Sequence, residues 1–265
     1  KPLNPLNNPV IKLLQLTDTH LYGDPARGLR GVPTLPALRQ TLAAVAAEVH
    51  DSDAILVTGD LVQDDPGGYM HFRDLFAPLG RPVLCVPGNH DLVPQMNTTL
   101  SGPPFRLGGV HDFGAWRVAM LDSSVPGEVA GRVDSAALGA LDRALAAAPG
   151  RHALVALHHH PVPMRSAWID ELGLLNSEEF FAVIDRHQQV RAVVFGHVHQ
   201  AFDSSRGSVR LLGTPSTCSQ FRPRVDHFAV DEAPPAWRSL RLYANGSLDT
   251  EVGWLQPRRV ASLTA

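Results

Sequence analysis

Cysteine is nearly absent from this 265-residue chain, which holds only Cys85 and Cys218. Two residues so far apart suggest no disulfide framework, so the sequence predicts a reducing, cytoplasmic setting. Long apolar runs are missing too. No stretch approaches the roughly 20 residues needed to span a bilayer, and the opening KPLNPLNNPV lacks the apolar core of a signal peptide. Nor does charge of one sign dominate: 23 basic against 26 acidic residues leave a net charge of -3. That balance offers no electrostatic footprint for nucleic acid or an anionic membrane. With 44% apolar and 18% charged residues the composition is that of a globular chain, which argues against extended disorder. The length suits one large α/β domain over residues 1–265.

What is present is an alternation of short apolar runs with helical patterns. Strands are expected at Val10 to Leu16, Ala54 to Thr58, Pro82 to Val86, His152 to Leu157 and Val190 to Phe195. Helices are expected at Leu35 to Val49, with Thr34 as N-cap, and at Tyr69 to Leu79, Ser135 to Ala148 and Glu178 to His187. Phe105 to Val110 and Trp116 to Leu121 read as paired strands about Gly114. From about residue 197 the pattern turns β-rich, ending in Trp237 to Tyr243 and Leu248 to Trp254. Alternating units followed by a β-rich part predict two packed, mostly mixed sheets flanked by helices.

Five polar clusters fall at the ends of expected strands: "TDTH" with Asp18 and His20, "TGD" with Asp60, "PGNHD" with Asn89, His90 and Asp91, "LHHHP" with His158 to His160, and "GHVH" with His197 and His199. The carboxyl edges of strands in α/β sheets converge on one crevice, so these clusters become neighbours there. Each alone has a plainer reading. An Asp after a strand caps a helix, Gly-Asp and Gly-Asn make turns, and two loop histidines can simply be solvated. Together they supply carboxylates, imidazoles and an amide oxygen with no thiolate, a set that suits borderline divalent metals and excludes a cysteine-type structural zinc site. Strand alternation puts His158 and His160 on one face and His159 on the other.

The ordered set Asp18-x-His20, Gly59-Asp60, Gly88-Asn89-His90-Asp91, the His158 run and Gly196-His197-x-His199 resembles the motifs of the calcineurin-like metallophosphoesterases. "QLTDTHLY", "VTGDLVQD", "LHHHPVP", "FGHVHQ" and "GTPSTCSQF" are similar to segments of the bacterial class III cyclic nucleotide phosphodiesterases, from about Lys12 to Leu242. The resemblance implies a four-layer αββα sandwich and two metal ions, Fe and/or Mn. By its pattern Asp18, His20 and His199 hold one ion, Asn89, His158 and His197 hold the other, and Asp60 bridges both. His90 is left to contact the phosphate and protonate the leaving oxygen, with His20, Asp60, Asn89 and His199 beside the substrate. The implied reaction is hydrolysis of 3',5'-cyclic AMP to 5'-AMP by a water shared between the ions. The implied partner is a small cyclic nucleotide, with neither nucleic acid nor membrane. A metallophosphoesterase for another phosphoester, or a non-catalytic binding module, stands as the alternative. Asp91 is expected to be a turn or cap residue, Cys218 a small filler, Trp168 packing, and Arg222 and Arg224 solvated.

Overall fold

A computed structural model describes residues 10–256; of the expected 1–265 span, residues 1–9 and 257–265 lie outside the described residues. The chain begins with β1 (Ile11–Leu16), a small hairpin of β2 (Gly28–Leu29) and β3 (Val32–Pro33), then α1 (Thr34–Ala44) and α2 (Ala46–Asp51). It continues through β4 (Ala54–Thr58), α3 (Gly68–Phe76), β5 (Val83–Val86), α4 (Val93–Thr99) and β6 (Phe105–Leu107). These are followed by β7 (Gly109–Phe113), β8 (Trp116–Met120), α5 (Ser135–Ala146), β9 (His152–Leu157), α6 (Ala167–Asp170) and α7 (Ser177–Ile184). The last part holds β10 (Val190–Phe195), β11 (Phe202–Arg206), β12 (Val209–Gly213), the short β13 (Gln220–Phe221) and β14 (Val230–Asp231), β15 (Ala236–Leu242) and β16 (Leu248–Trp254).

Two six-stranded mixed sheets result, ordered β16-β15-β1-β4-β5-β6 and β11-β12-β10-β9-β8-β7. Each has four parallel strands; the first adds β15 and β16 through antiparallel pairs at one margin, and the second adds antiparallel β11 and β7 at its two margins. The period of two in β geometry sorts the apolar side chains into layers. Leu13, Leu56 and Leu84 face Val118, Leu154 and Val194 between the sheets. Their neighbours Leu14, Val57 and Cys85 face outward onto Leu38, Phe72 and Phe76 of the first helical layer. On the other side Val155 and Val193 meet Leu141, Leu145 and Phe180. Buried on both faces, the parallel strands read as continuous apolar runs, which is why the sequence showed them clearly. Each such Leu or Val contributes roughly 1.5–3 kcal/mol by leaving water. At the site end the sheets are also tied by polar bonds: buried Gln15 donates to Thr58 Oγ1 at 2.9 Å and accepts from Thr214 Oγ1 at 2.7 Å.

Three expectations are corrected. The helix expected over Leu35 to Val49 is broken at Val45, whose φ of -96° and ψ of 13° leave the helical region. Thr41 returns its hydroxyl to the Ala37 carbonyl at 3.0 Å, a bond that bends helices. Thr34 is not the N-cap, because Pro33 occupies that position and Thr34 lies inside the first turn. Phe105 to Val110 is not one strand paired with Trp116 to Leu121. Gly108 and Gly109, with φ of 63° and 83°, carry the chain across between sheets, so β6 pairs with β5 and only β7 with β8. The β-rich part after residue 197 serves both sheets, β11 and β12 joining one and β15 and β16 the other. Among the described residues no helix is long and apolar enough to cross a membrane.

Candidate metal centre

The loops after β1, β4, β5, β9 and β10 all open at the same end of the sandwich. Backbone bonds zip the first two together, from Asp18 N–H to the Gly59 carbonyl at 3.0 Å and from His20 N–H to the Asp60 carbonyl at 2.9 Å. Asp18, His20, Asp60, His197 and His199 all sit at positive φ, between 44° and 67°. Non-glycine residues avoid this region, and strain of that kind is held only where surrounding structure enforces it, which happens at functional sites. Two glycines make the approach possible. A Cβ on Gly59 would run into the His158 ring, and one on Gly88 into the Asp60 carboxylate.

The side chains form two clusters that share one carboxylate. In the first, His199 Nε2 lies 3.2 Å from Asp18 Oδ1 and 3.1 Å from His20 Nε2. In the second, His158 Nε2 lies 3.2 Å from Asn89 Oδ1 and 3.2 Å from His197 Nδ1. Asp60 Oδ2 faces both, 3.7 Å from His20 Nε2 and 3.4 Å from His158 Nε2. Its other oxygen accepts the His90 N–H at 2.9 Å. Asn89 is half-buried and the other six are buried.

The protons on these rings are placed by the backbone. His199 Nδ1 donates to the Ser219 carbonyl at 2.6 Å and His158 Nδ1 to the Thr58 carbonyl at 2.8 Å. In the neutral ring each Nε2 is then a lone pair. One points at a carboxylate oxygen, the other at a carboxylate and an amide oxygen, so acceptors converge with no donor between them. Atoms about 2.1 Å from a common centre lie about 3.0–3.4 Å apart at octahedral or tetrahedral angles, which is the spacing around His199 and His158, while His20 Nε2 stands farther off, 3.7 Å from Asp60 and 3.8 Å from Asp18. The donor set therefore fits a cation in each cluster. Without a cation, burial opposes charge on His158, but Asp60 and their hydrogen bond hold its pKa up to about 9, so a proton takes the place on Nε2 that a cation would fill. Burial also raises Asp60, yet the charge of His158 draws its carboxyl well below the usual range. Burial takes His20 down to about 4, so that ring offers a lone pair.

The other candidates separate cleanly. His159 is committed through both nitrogens, Nδ1 with the Ser123 hydroxyl at 2.8 Å and Nε2 to the Val129 carbonyl at 3.0 Å, although its ring lies near His158 and His197. His160 stacks on His197 at 5.6 Å, and burial pushes its pKa down to about 4. Asp91 is structural: its carboxylate accepts from the Gly88 and Leu61 amides and the Tyr69 hydroxyl, binding the Asp60 and Asn89 loops together. Burial and the nearby Asp60 charge push its pKa up to about 7. Cys218 is a buried filler beside Ser216.

His90 stands on the open side with its side chain 31% exposed. Asp64 lies 2.9 Å from its Nδ1, and the Gln63 amide 2.8 Å. Sequence reasoning missed both, though they belong to the quoted "VTGDLVQD"; Asp64 at φ 51° shares the strain of the clustered residues, but backbone angles are invisible in a sequence. It also missed Phe221, whose ring lies flat on His199 with centroids 4.0 Å apart and planes 5° apart.

Two mixed sheets with this cluster at their carboxyl edge define a metal-dependent phosphoesterase, and the chain belongs to the calcineurin-like phosphoesterase family, which it matches over residues 11–201. More particularly, it is 40% identical over 254 residues to the 3',5'-cyclic adenosine monophosphate phosphodiesterase CpdA of Haemophilus influenzae, covering 94% of this chain and 91% of that one. To the protein of the same name from Escherichia coli K12 it is 38% identical, covering 96% and 94%. A dimetal phosphatase from Danio rerio shares the fold with a TM-score of 0.64 at 15% identity, over 94% of this chain and all of that one.

Proposed function

We propose that the chain hydrolyses 3',5'-cyclic AMP to 5'-AMP at a two-metal centre. The observation that carries this reading is the pair of acceptor clusters sharing Asp60 Oδ2, on a chain 38–41% identical to cyclic AMP phosphodiesterases over more than nine-tenths of its length. Asp18, His20 and His199 would hold one ion, Asn89, His158 and His197 the other, and Asp60 both. Imidazole, carboxylate and amide oxygen without thiolate suit Fe or Mn. When bound, the ions would lower the pKa of a water towards neutrality and offset charge on the phosphate oxygens.

The chain's own residues do the rest. Asp64 beside Nδ1 orients the His90 ring, leaving Nε2 to meet the phosphate and give a proton to the departing ribose 3'-oxygen. As water's oxygen joins phosphorus, the P–O3' bond breaks and the proton ends on that oxygen. The Asp60 carboxylate fixes this loop by accepting the His90 amide. Neither nucleic acid nor membrane enters the reaction, and a cytoplasmic setting goes with two cysteines that remain free.

The test is a substrate panel with Mn- or Fe-loaded chain: cyclic AMP, cyclic GMP, 2',3'-cyclic nucleotides and an aryl phosphodiester. Cyclic AMP is expected to give the highest kcat/KM among the nucleotides. Hydrolysis of the aryl ester without turnover of cyclic AMP would overturn the reading.

A further inference from the structure

One ring beyond the metal cluster, three short insertions meet. The hairpin of β13 and β14 carries Phe221, flat on His199, and returns Phe228 over it. Trp168 arrives from α6. The three rings pack edge to face, with centroids 5.4 Å apart for Trp168 and Phe221, 5.1 Å for Trp168 and Phe228, and 5.3 Å for Phe221 and Phe228. The hairpin is fixed to the start of α6 by the Val225 N–H on Ser166 Oγ at 3.2 Å. From the opposite rim the β2–β3 turn sends Arg30, its guanidinium carbon 4.1 Å from the Phe228 ring centre.

Two features mark this as more than packing. Phe228 remains 39% exposed despite its neighbours, so aromatic surface is left at the mouth of a polar site. Arg30 and Gly31 are the two central residues of a hairpin turn, with φ of 53° and 84°. Such turns require positive φ at both positions and favour Asn or Asp before Gly, so an Arg there carries strain that Asn or Asp would lessen. A flat guanidinium lying on an aromatic face offers its own outer side to a further flat π system.

We propose that Phe221, Phe228 and Trp168, capped by Arg30, form the wall that receives the nucleobase of the substrate. The inference rests on the cyclic nucleotide reading above and adds where the base goes. One ribose joins base to phosphate, so a base wall must begin about one ring beyond the metal-holding side chains, where Phe221 stands. A purine covers more of the wall than a pyrimidine and is favoured. Stacking against rings is tolerant of base identity, so the wall supplies affinity for a nucleobase more than a choice between adenine and guanine.

The experiment uses the metal-loaded full chain and three competitive inhibitors: 5'-AMP, ribose 5-phosphate and inorganic phosphate. The wild-type chain is expected to bind 5'-AMP roughly 10-fold more tightly than ribose 5-phosphate. Phe228→Ala and, separately, the exposed Arg30→Ala are expected to remove most of that difference and to raise KM for cyclic AMP about 10-fold with kcat within about twofold. Phe228→Tyr is expected to restore it, and phosphate to inhibit every variant alike. Equal inhibition by 5'-AMP and ribose 5-phosphate in the wild type, while cyclic AMP is still hydrolysed, would overturn the wall and leave the function standing. Loss of phosphate inhibition in Phe228→Ala would also overturn it, assigning the ring to support of the Phe221 ring on His199. No cyclic AMP turnover beside active aryl ester hydrolysis would overturn the function, and the wall with it.

Discussion

The floor of the site and its rim are built in opposite ways. Seven buried or half-buried polar residues make the floor, each one or a few positions beyond a strand of the two sheets, with five of them in strained backbone. The rim is assembled from a two-residue hairpin turn, a four-residue helix and a pair of two-residue strands. What holds the floor is the core beneath it, whereas the rim holds through its own rings and a few hydrogen bonds, among them Val225 N–H to Ser166 Oγ and Phe221 N–H to the His199 carbonyl at 3.2 Å. Floor residues should therefore set metal content and rate, and rim residues affinity alone.

The largest effect is expected at the shared carboxylate. Asp60→Ala removes a carboxylate that faces both clusters, so metal analysis after reconstitution should find fewer than two ions per chain. Turnover of cyclic AMP should fall roughly a thousandfold or more. Two full equivalents of metal in that variant would break the division between floor and rim, since the clusters would then not depend on the residue they share. Next comes His90→Ala, where both ions should be retained while kcat falls roughly 10²–10⁴-fold, the usual range for a lost proton donor. A parallel loss of metal would make His90 a ligand and remove its place as the acid.

Much of the floor was legible in the sequence because its geometry follows from strand ends. Asp18 and His20 after β1, or His197 and His199 after β10, need only the boundary of an apolar run to be placed at the carboxyl edge. Strand alternation left His158 and His160 on one face, and the structure separates them by partner. His158 faces Asp60 and Asn89, whereas His160 lies on the back of His197. Rim pieces gave no such signal. A two-residue strand has no period, and nothing in "QFRPRVDHFAV" says that Phe228 folds back over Phe221. The crossing at Gly108 and Gly109 failed for a related reason, because apolar residues on both sides made two strands of different sheets look like one.

Asp64 lies between floor and rim, and its variant sharpens the boundary. The carboxylate touches His90 but none of the seven clustered side chains, and it is largely exposed. Asp64→Asn should leave metal content and KM unchanged and lower kcat roughly 10- to 100-fold, as for other groups that orient a working side chain. A change in KM with kcat intact would move Asp64 to the rim.

The smallest effect is on stability, and it compares the floor with and without cations. In the metal-free chain burial works against charge on His158, but Asp60 and their hydrogen bond hold its pKa up to about 9 from an ordinary 6.5. A raised imidazole pKa contributes stability that is complete below about pH 6.5 and is lost as pH rises through about 9. Asp60 moves the other way. Its depressed carboxyl contributes stability that is present above about pH 4 and lost in acid. The metal-free chain is therefore expected to lose about 5 °C in Tm between pH 6.5 and pH 9. With cations bound, His158 Nε2 carries no proton to lose, so the loaded chain should hold its Tm across that window. His158→Asn should flatten the slope of the metal-free protein from a lower starting Tm. Paired thermal melts at matched ionic strength read all three, and an equal alkaline decline in loaded and stripped protein would trace the slope to residues outside the floor.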